Sequence, residues 1–169
     1  FLRKDGLAMQ TPADTPLTTY LIAEQARFYR LAYSYLRQRE DALDAVQSAV
    51  CRALERQDSL RDPELIRPWF YRILINTCLD ALRRRSKVVS LEDWAETGRE
   101  DPPPPDEDLS RQVEALRPPV STVIKLRFYE ELSLREISEA TGSNVNTVKS
   151  RLYAGLKKLR ISMEGEDIT

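Results

Sequence analysis

Between Asn144 and Met163 the chain carries five cations, Lys149, Arg151, Lys157, Lys158 and Arg160, and not one acid. Side chains of that kind displace counterions from phosphate, and the short polar residues among them, Asn146, Thr147 and Ser150, can hydrogen-bond to base edges. A second basic stretch spans residues 61 to 87, with seven Arg or Lys against three Asp or Glu. In it Arg72, Asn76, Asp80 and Arg84 recur every fourth residue, the spacing of one outer helix face, and Arg83, Arg84 and Arg85 close the stretch. Cations at a helix C-terminus also complement its dipole, which is the plainer account of that cluster. Asp41 and Asp44, three residues apart, suit either a partner's basic surface or a magnesium site of the prenyl-transferring kind, although no second acidic motif faces them. With no histidine, and with Cys51 and Cys78 lacking partners at ligand spacing, imidazole catalysis and the common zinc sites are excluded, and no cofactor is expected.

Helices must position these groups. Ser133 and Glu136 form a capping box, and Leu132 with Ile137 stands at the spacing of a hydrophobic staple. A helix from Leu134 is expected to stop near Thr141, where Gly142 can adopt the left-handed conformation. Asn144 then caps a second helix with an inner face of Val145, Val148, Leu152, Leu156 and Leu159. Its outer face is Asn146, Thr147, Lys149, Ser150, Arg151 and Lys157. Two short helices about a glycine turn, the second polar and cationic in front, are the parts of a helix-turn-helix. An ordinary helical hairpin with a solvated basic face is the bland alternative.

Earlier in the chain, Leu17, Leu21, Phe28, Leu31, Ala32 and Tyr35 recur at helical spacing. Ala42, Ala45, Val46, Ala49, Val50, Ala53 and Leu54 do so at every step. Asp44, Gln47, Ser48 and Arg52 occupy the opposite face of that helix, with Asp41 as its expected cap. A third helix, with Pro68 in its first position, is expected to run to about Arg85 on an inner stripe of Phe70, Ile73, Leu74, Thr77 and Ala81. Trp69 reads as core.

The 169-residue chain has a net charge of −1 that conceals strong segregation, because residues 88 to 108 hold eight acids against one Arg, with four consecutive prolines. That stretch reads as an acidic, Pro-rich linker. The expected fold is therefore all-α, with two small helical domains at 17–87 and 109–163 and the linker at 88–108. Apolar runs are far below the roughly 20 residues of a membrane span, and no leader pattern opens the chain, so membrane insertion is not expected and the location is expected to be cytoplasmic.

At these residues the sequence resembles the extracytoplasmic-function, or group 4, sigma factors of bacterial RNA polymerase. "REDALDAVQSAVCRAL" and "RPWFYRILINTCLDALRRR" resemble the family's region 2, and "IKLRFYEELSLREISEATGSNVNTVKSRLYAGLKKLR" resembles its region 4. The resemblance implies that region 2 docks on the polymerase core and opens the minus 10 promoter element, while region 4 reads the minus 35 element. Asp41, Asp44 and Gln47 match the family's "DAEDLVQ" pattern on the core-binding helix. Asp58, Arg61, Arg72, Asn76, Asp80, Arg83 and Arg84 fall on the minus 10 side, with "DSLRDPE" matching the loop that receives a flipped base. Asn146, Thr147, Lys149, Ser150, Arg151 and Lys157 fall on the minus 35 side. The chain departs from the family at Arg117-Pro118, where Leu-Pro is usual, and in its longer proline-rich linker. Implied partners are polymerase core, promoter DNA and an anti-sigma factor. A free-standing helix-turn-helix regulator and a magnesium-dependent helical enzyme using Asp41 and Asp44 stand beside this reading.

Overall fold

The computed structural model describes residues 15–91 and 107–166, with side chains over 15–87 and 111–160. The expected linker lies largely outside the described residues. The described residues form helices and turns without a strand. In chain order the helices are α1 (Pro16–Ala23), α2 (Gln25–Leu36), α3 (Arg39–Glu55), α4 (Ile66–Leu91), α5 (Glu107–Ala115), α6 (Val120–Ile124), α7 (Leu134–Thr141) and α8 (Val145–Glu166). A π-helical turn, Lys125–Tyr129, continues α6.

Local chemistry sets most boundaries. Thr15 Oγ1 accepts from the Thr18 N–H at 3.1 Å and Pro16 opens α1. α2 ends at Arg37 in the left-handed region, φ 57°. α3 starts at Arg39 with Gln38 as its N-cap, so Asp41 is not the cap; it stands in the first turn and pairs with Arg85 of α4. α4 begins two residues before Pro68. A 3-10 turn, Pro63–Leu65, capped by Asp62 through the Glu64 N–H at 3.0 Å, leads straight into it. Pro68 then falls in the first turn, where an N–H has no intrahelical acceptor to lose. The helix also runs on past Arg85 to Leu91, since no glycine or proline interrupts residues 69–91.

The N-terminal block packs α2, α3 and α4 together. Ala42, Ala45, Ala49 and Ala53 are all buried, and their small side chains let α3 lie close to its neighbours. Phe28 and Phe70 meet at 4.4 Å between ring centroids, with Tyr20 and Tyr71 edge-on around them. The C-terminal block is α5 to α8. Val113, Leu116, Ile124 and Leu159 form a small cluster of their own. Val123, Leu126, Leu132, Ile137, Ala140 and Val148 instead join the cluster that holds Phe28, Phe70 and Leu74, so one apolar core runs through both blocks.

Candidate nucleic-acid interface

The helix-turn-helix forms as its signals require. Ser133 Oγ accepts from the Glu136 N–H, and the Glu136 carboxylate accepts from the Ser133 N–H, each at 3.1 Å. Gly142 terminates α7 at φ 69°, a conformation that a side chain would strain. Asn144 Oδ1 then accepts from the Thr147 N–H at 2.8 Å, which starts α8. The turn is braced from both helices: Ser138 Oγ donates to the Ser143 carbonyl at 2.6 Å, and Arg151 donates to Ser143 Oγ at 2.9 Å.

Two details of α8 differ from expectation. Leu156 is exposed rather than on the inner face, and Gly155 is buried in its place. The seam runs through Val148, Leu152, Gly155 and Leu159. A Cβ at Gly155 would lie 2.7 Å from Ile124 Cγ1, so only glycine lets α8 approach α6 this closely. Arg151 is half-buried and holds the turn, whereas Asn146, Lys149, Ser150 and Lys157 are exposed. Thr147 is half-buried. Tyr153, two-thirds exposed on this helix, was not among the expected contacts.

On the N-terminal block, Asp44 and Gln47 are exposed on α3. Asp41, Asp44 and Ser48 line an open groove of about 380 Å³ with Thr77, Arg84 and Arg85 of α4, so expected core-binding and minus 10 residues share one crevice. Arg72, Asn76 and Arg84 are exposed along the outer side of α4, as expected, and Asp80 is half-buried, but the row is not straight. Four residues turn a helix by about 40° beyond a full revolution, so the row wraps by about 120° over its length. At one end Arg72 rests against Gly142 of the turn, its Nη2 being 3.3 Å from where a Cβ would stand. At the other end Arg84 faces the groove. Asp80 pairs with Arg83 at 3.2 Å and, more loosely, with Arg52 at 3.9 Å. Asn76 is exposed between them, Asp58 is exposed in a 3-10 turn, Gln57–Ser59, and Arg61 is exposed in the link from that turn to Pro63–Leu65.

Sequence patterns missed the polar contacts between the blocks. Lys125, only 2% exposed, lies 3.6 Å above the Tyr35 ring and donates to the Ser34 carbonyl at 3.1 Å. Burial lowers its ammonium to about 8, while the Glu114 carboxylate works the other way. Tyr35 and Thr122 share a 2.7 Å hydrogen bond, and Arg37 donates to Glu114 at 2.6 Å. Tyr71 donates to Glu130, whose carboxyl is raised by burial against the effect of that hydrogen bond, and Arg67 donates to the Glu130 carbonyl. One signal existed: Lys125 interrupts the apolar run "VIKL", where a cation needs a partner. Cys78 is buried nearby with its thiol pushed up to about 12, and Cys51 is exposed on α3. Among the described residues no cluster of ligating side chains could hold a metal ion.

Comparison with known proteins accounts for the pairing of the two blocks. Residues 21–88 match Sigma-70 region 2 and residues 106–159 match Sigma-70 region 4. Over 157 residues the chain is 42% identical to RNA polymerase sigma factor SigV of Bacillus subtilis, covering 90% of this chain and 94% of that protein. The chain belongs to the sigma-70 family of RNA polymerase sigma factors. Within it, the chain is of the extracytoplasmic-function group. It is also 29% identical to ECF RNA polymerase sigma factor SigW of the same species, over 79% of this chain and 81% of that protein. In fold this sigma factor is similar to RpoE of Bartonella quintana, solved with the anti-sigma factor NepR. The TM-score is 0.73 at 21% identity, covering 86% of this chain and 95% of that one. CnrH, solved with the cytosolic domain of CnrY, gives a TM-score of 0.65 at 20% identity, covering 88% of each chain. As a sigma factor the chain directs core polymerase to promoters, and a free-standing regulator is the less favoured reading.

Proposed function

We propose that this sigma factor divides promoter recognition between α8 and the surface formed by α4 and the turns before it. On α8, Asn146, Lys149 and Ser150 meet the minus 35 element in the major groove, Thr147 and Arg151 support that face, and Lys157 and Lys158 hold phosphates. Asn76 and Arg72, with Asp58 and Arg61 in the segment before α4, serve the minus 10 element, while Arg83 and Arg84 approach its backbone and Asp80 orients Arg83. Asp44 and Gln47 dock on polymerase core, and Asp41 acts through its pairing with Arg85. The domain limits 17–87 and 109–163 belong to the same proposal.

One observation carries it. The turn between α7 and α8 is held by three side-chain hydrogen bonds, made by Ser138, Asn144 and Arg151, and the helix it orients leaves Asn146, Lys149 and Ser150 exposed. A rigid helix bearing free polar side chains suits a rigid duplex. The chain acts without catalysis of its own, in the cytoplasm; no helix of the described residues is long and apolar enough to cross a membrane. An anti-sigma factor is a further partner, a reading supported by the likeness to RpoE, which was solved with one.

A pull-down with bacterial core polymerase, followed by transcription from a randomised promoter library, tests the assignment. Selective initiation from a shared two-element sequence is expected. Duplex binding without any gain from core polymerase would favour the free-standing regulator instead.

A further inference from the structure

By its spacing Arg151 belongs with the DNA-facing residues of α8, yet it is half-buried, whereas Asn146, Lys149 and Ser150 are exposed. Helical side chains lean toward the N-terminus of their helix, and Arg151 reaches back eight residues to donate to Ser143 Oγ at 2.9 Å. The Ser143 carbonyl accepts from Ser138 Oγ of α7 at 2.6 Å. A single file of three residues therefore joins α7, the turn and α8. Ser143, at its centre, lies between Gly142, left-handed at φ 69°, and Asn144, which caps α8 through the Thr147 N–H. The chain changes direction at those two points, so a hold on Ser143 is a hold on the angle between the helices. Among the described residues no carboxylate pairs with the Arg151 guanidinium, and the positive end of the α8 dipole disfavours a cation there. The serine is what holds it.

We propose that Arg151 is a positioning residue for minus 35 recognition: it touches no base, and through Ser143 and Ser138 it fixes the angle at which α8 presents Asn146, Lys149 and Ser150 to the major groove. This role rests on the assignment of α8 to the minus 35 element made above, and adds to it the group that sets the fit. Hydrogen bonds to base edges demand both distance and direction, so a reader displaced as a body loses all of its contacts together. A residue that reads one base loses discrimination at that base alone. Phosphate binding leaves a third mark, because each lost phosphate contact lowers the salt slope by about 0.9.

The three marks are separated by selection from a promoter library randomised over the minus 35 element, using reconstituted polymerase. The chains compared are the wild type, Arg151→Ala, Ser143→Ala, the double variant and Lys149→Ala, each checked for native melting. In Arg151→Ala discrimination should fall by about fivefold, the weight of one hydrogen bond, at every position that the wild type distinguishes. Ser143→Ala should flatten the profile in the same way although it removes no cation. The double variant should be no worse than either single one, since all three break one link. The salt slope of promoter binding should be unchanged in all three, and Lys149→Ala should lose discrimination at one or two positions only. Should Arg151→Ala melt early, Ser143→Ala carries the same expectation alone.

Loss at a single position in Arg151→Ala would make Arg151 a base reader, and a salt slope lower by about 0.9 would make it a phosphate contact. Full additivity of the two substitutions would separate it from Ser143. Each of these results overturns the positioning role, as does an unaltered profile in Arg151→Ala beside an altered one in Lys149→Ala, which leaves α8 as the reader. If Lys149→Ala leaves the profile unaltered as well, α8 does not read the element, and the assignment above fails together with the role of Arg151.

Discussion

α4 and α8 carry similar side chains toward solvent, asparagine with arginine or lysine, yet the fold uses them differently. α8 buries a single seam, Val148, Leu152, Gly155 and Leu159, and leaves a whole face of Asn146, Lys149, Ser150 and Lys157 exposed. α4 is a spine between two blocks. Phe70, Ile73, Leu74 and Thr77 are buried along its inner stripe, and Tyr71 and Cys78 approach Glu130 and Lys125 of the other block. Several of its polar groups are already committed, Thr77 to Arg52 at 3.1 Å, Asp80 to Arg83 and Arg85 to Asp41. A helix held by one seam can offer an unbroken face to a duplex. A shared spine offers only short patches, which suits capture of a single displaced base beside the turns at 57–65.

The comparison breaks most visibly if α4 is not shared. Phe70→Ala should cost about 3–5 kcal/mol, and both blocks should melt in one transition at lower denaturant. Two separate transitions, with only the N-terminal one displaced, would contradict a common core. The next effect is one of pH. Below about 8 the folded chain bears the cost of the buried Lys125 ammonium, and as pH climbs toward 10.5 the unfolded chain holds the proton longer, so stability rises. Lys125→Met should abolish a gain of about 2 kcal/mol between pH 7 and 9.5, measured by denaturant titration of both proteins. Glu130, Tyr35 and Cys78 remain in both, so their contributions cancel. Equal pH dependence in the two would mean that Lys125 is solvated.

On α8 the expected effects are smaller and local. Gly155→Ala should destabilise the chain by roughly 1–3 kcal/mol, because its Cβ would overlap Ile124. A neutral result would show that α6 and α8 are further apart than described. Ser133→Ala should cost about 1 kcal/mol by removing one half of the capping box, a loss visible as a lower melting temperature.

What could be read from sequence follows the same division. α7 and α8 were legible because their signals are local: Ser133 with Glu136, Gly142 and Asn144 act within a few residues. The alanine stripe of α3 was legible for the same reason. Long-range effects were not. Nothing near Asp41 shows that Arg85 will claim it, and the wrap of the Arg72 to Arg84 row matters only once neighbours stand at both ends. Leu156 fits the apolar repeat of α8, and only the approach of Ile124 moves the seam to Gly155. The contacts from Tyr35, Arg37 and Tyr71 join residues 59 to 87 positions apart, beyond any local pattern.

The division of labour between the two helices is tested most directly by transcription with reconstituted polymerase on duplex and premelted templates. Base-edge contacts contribute roughly 1–3 kcal/mol each, so Asn76→Ala and Lys149→Ala should both depress initiation from duplex promoters by about tenfold or more. A premelted minus 10 bubble should restore most of the activity of Asn76→Ala, since it removes the step that residue serves. The same bubble should leave Lys149→Ala defective. Equal rescue of both variants, or of neither, would contradict the assignment of strand opening to α4 and duplex reading to α8.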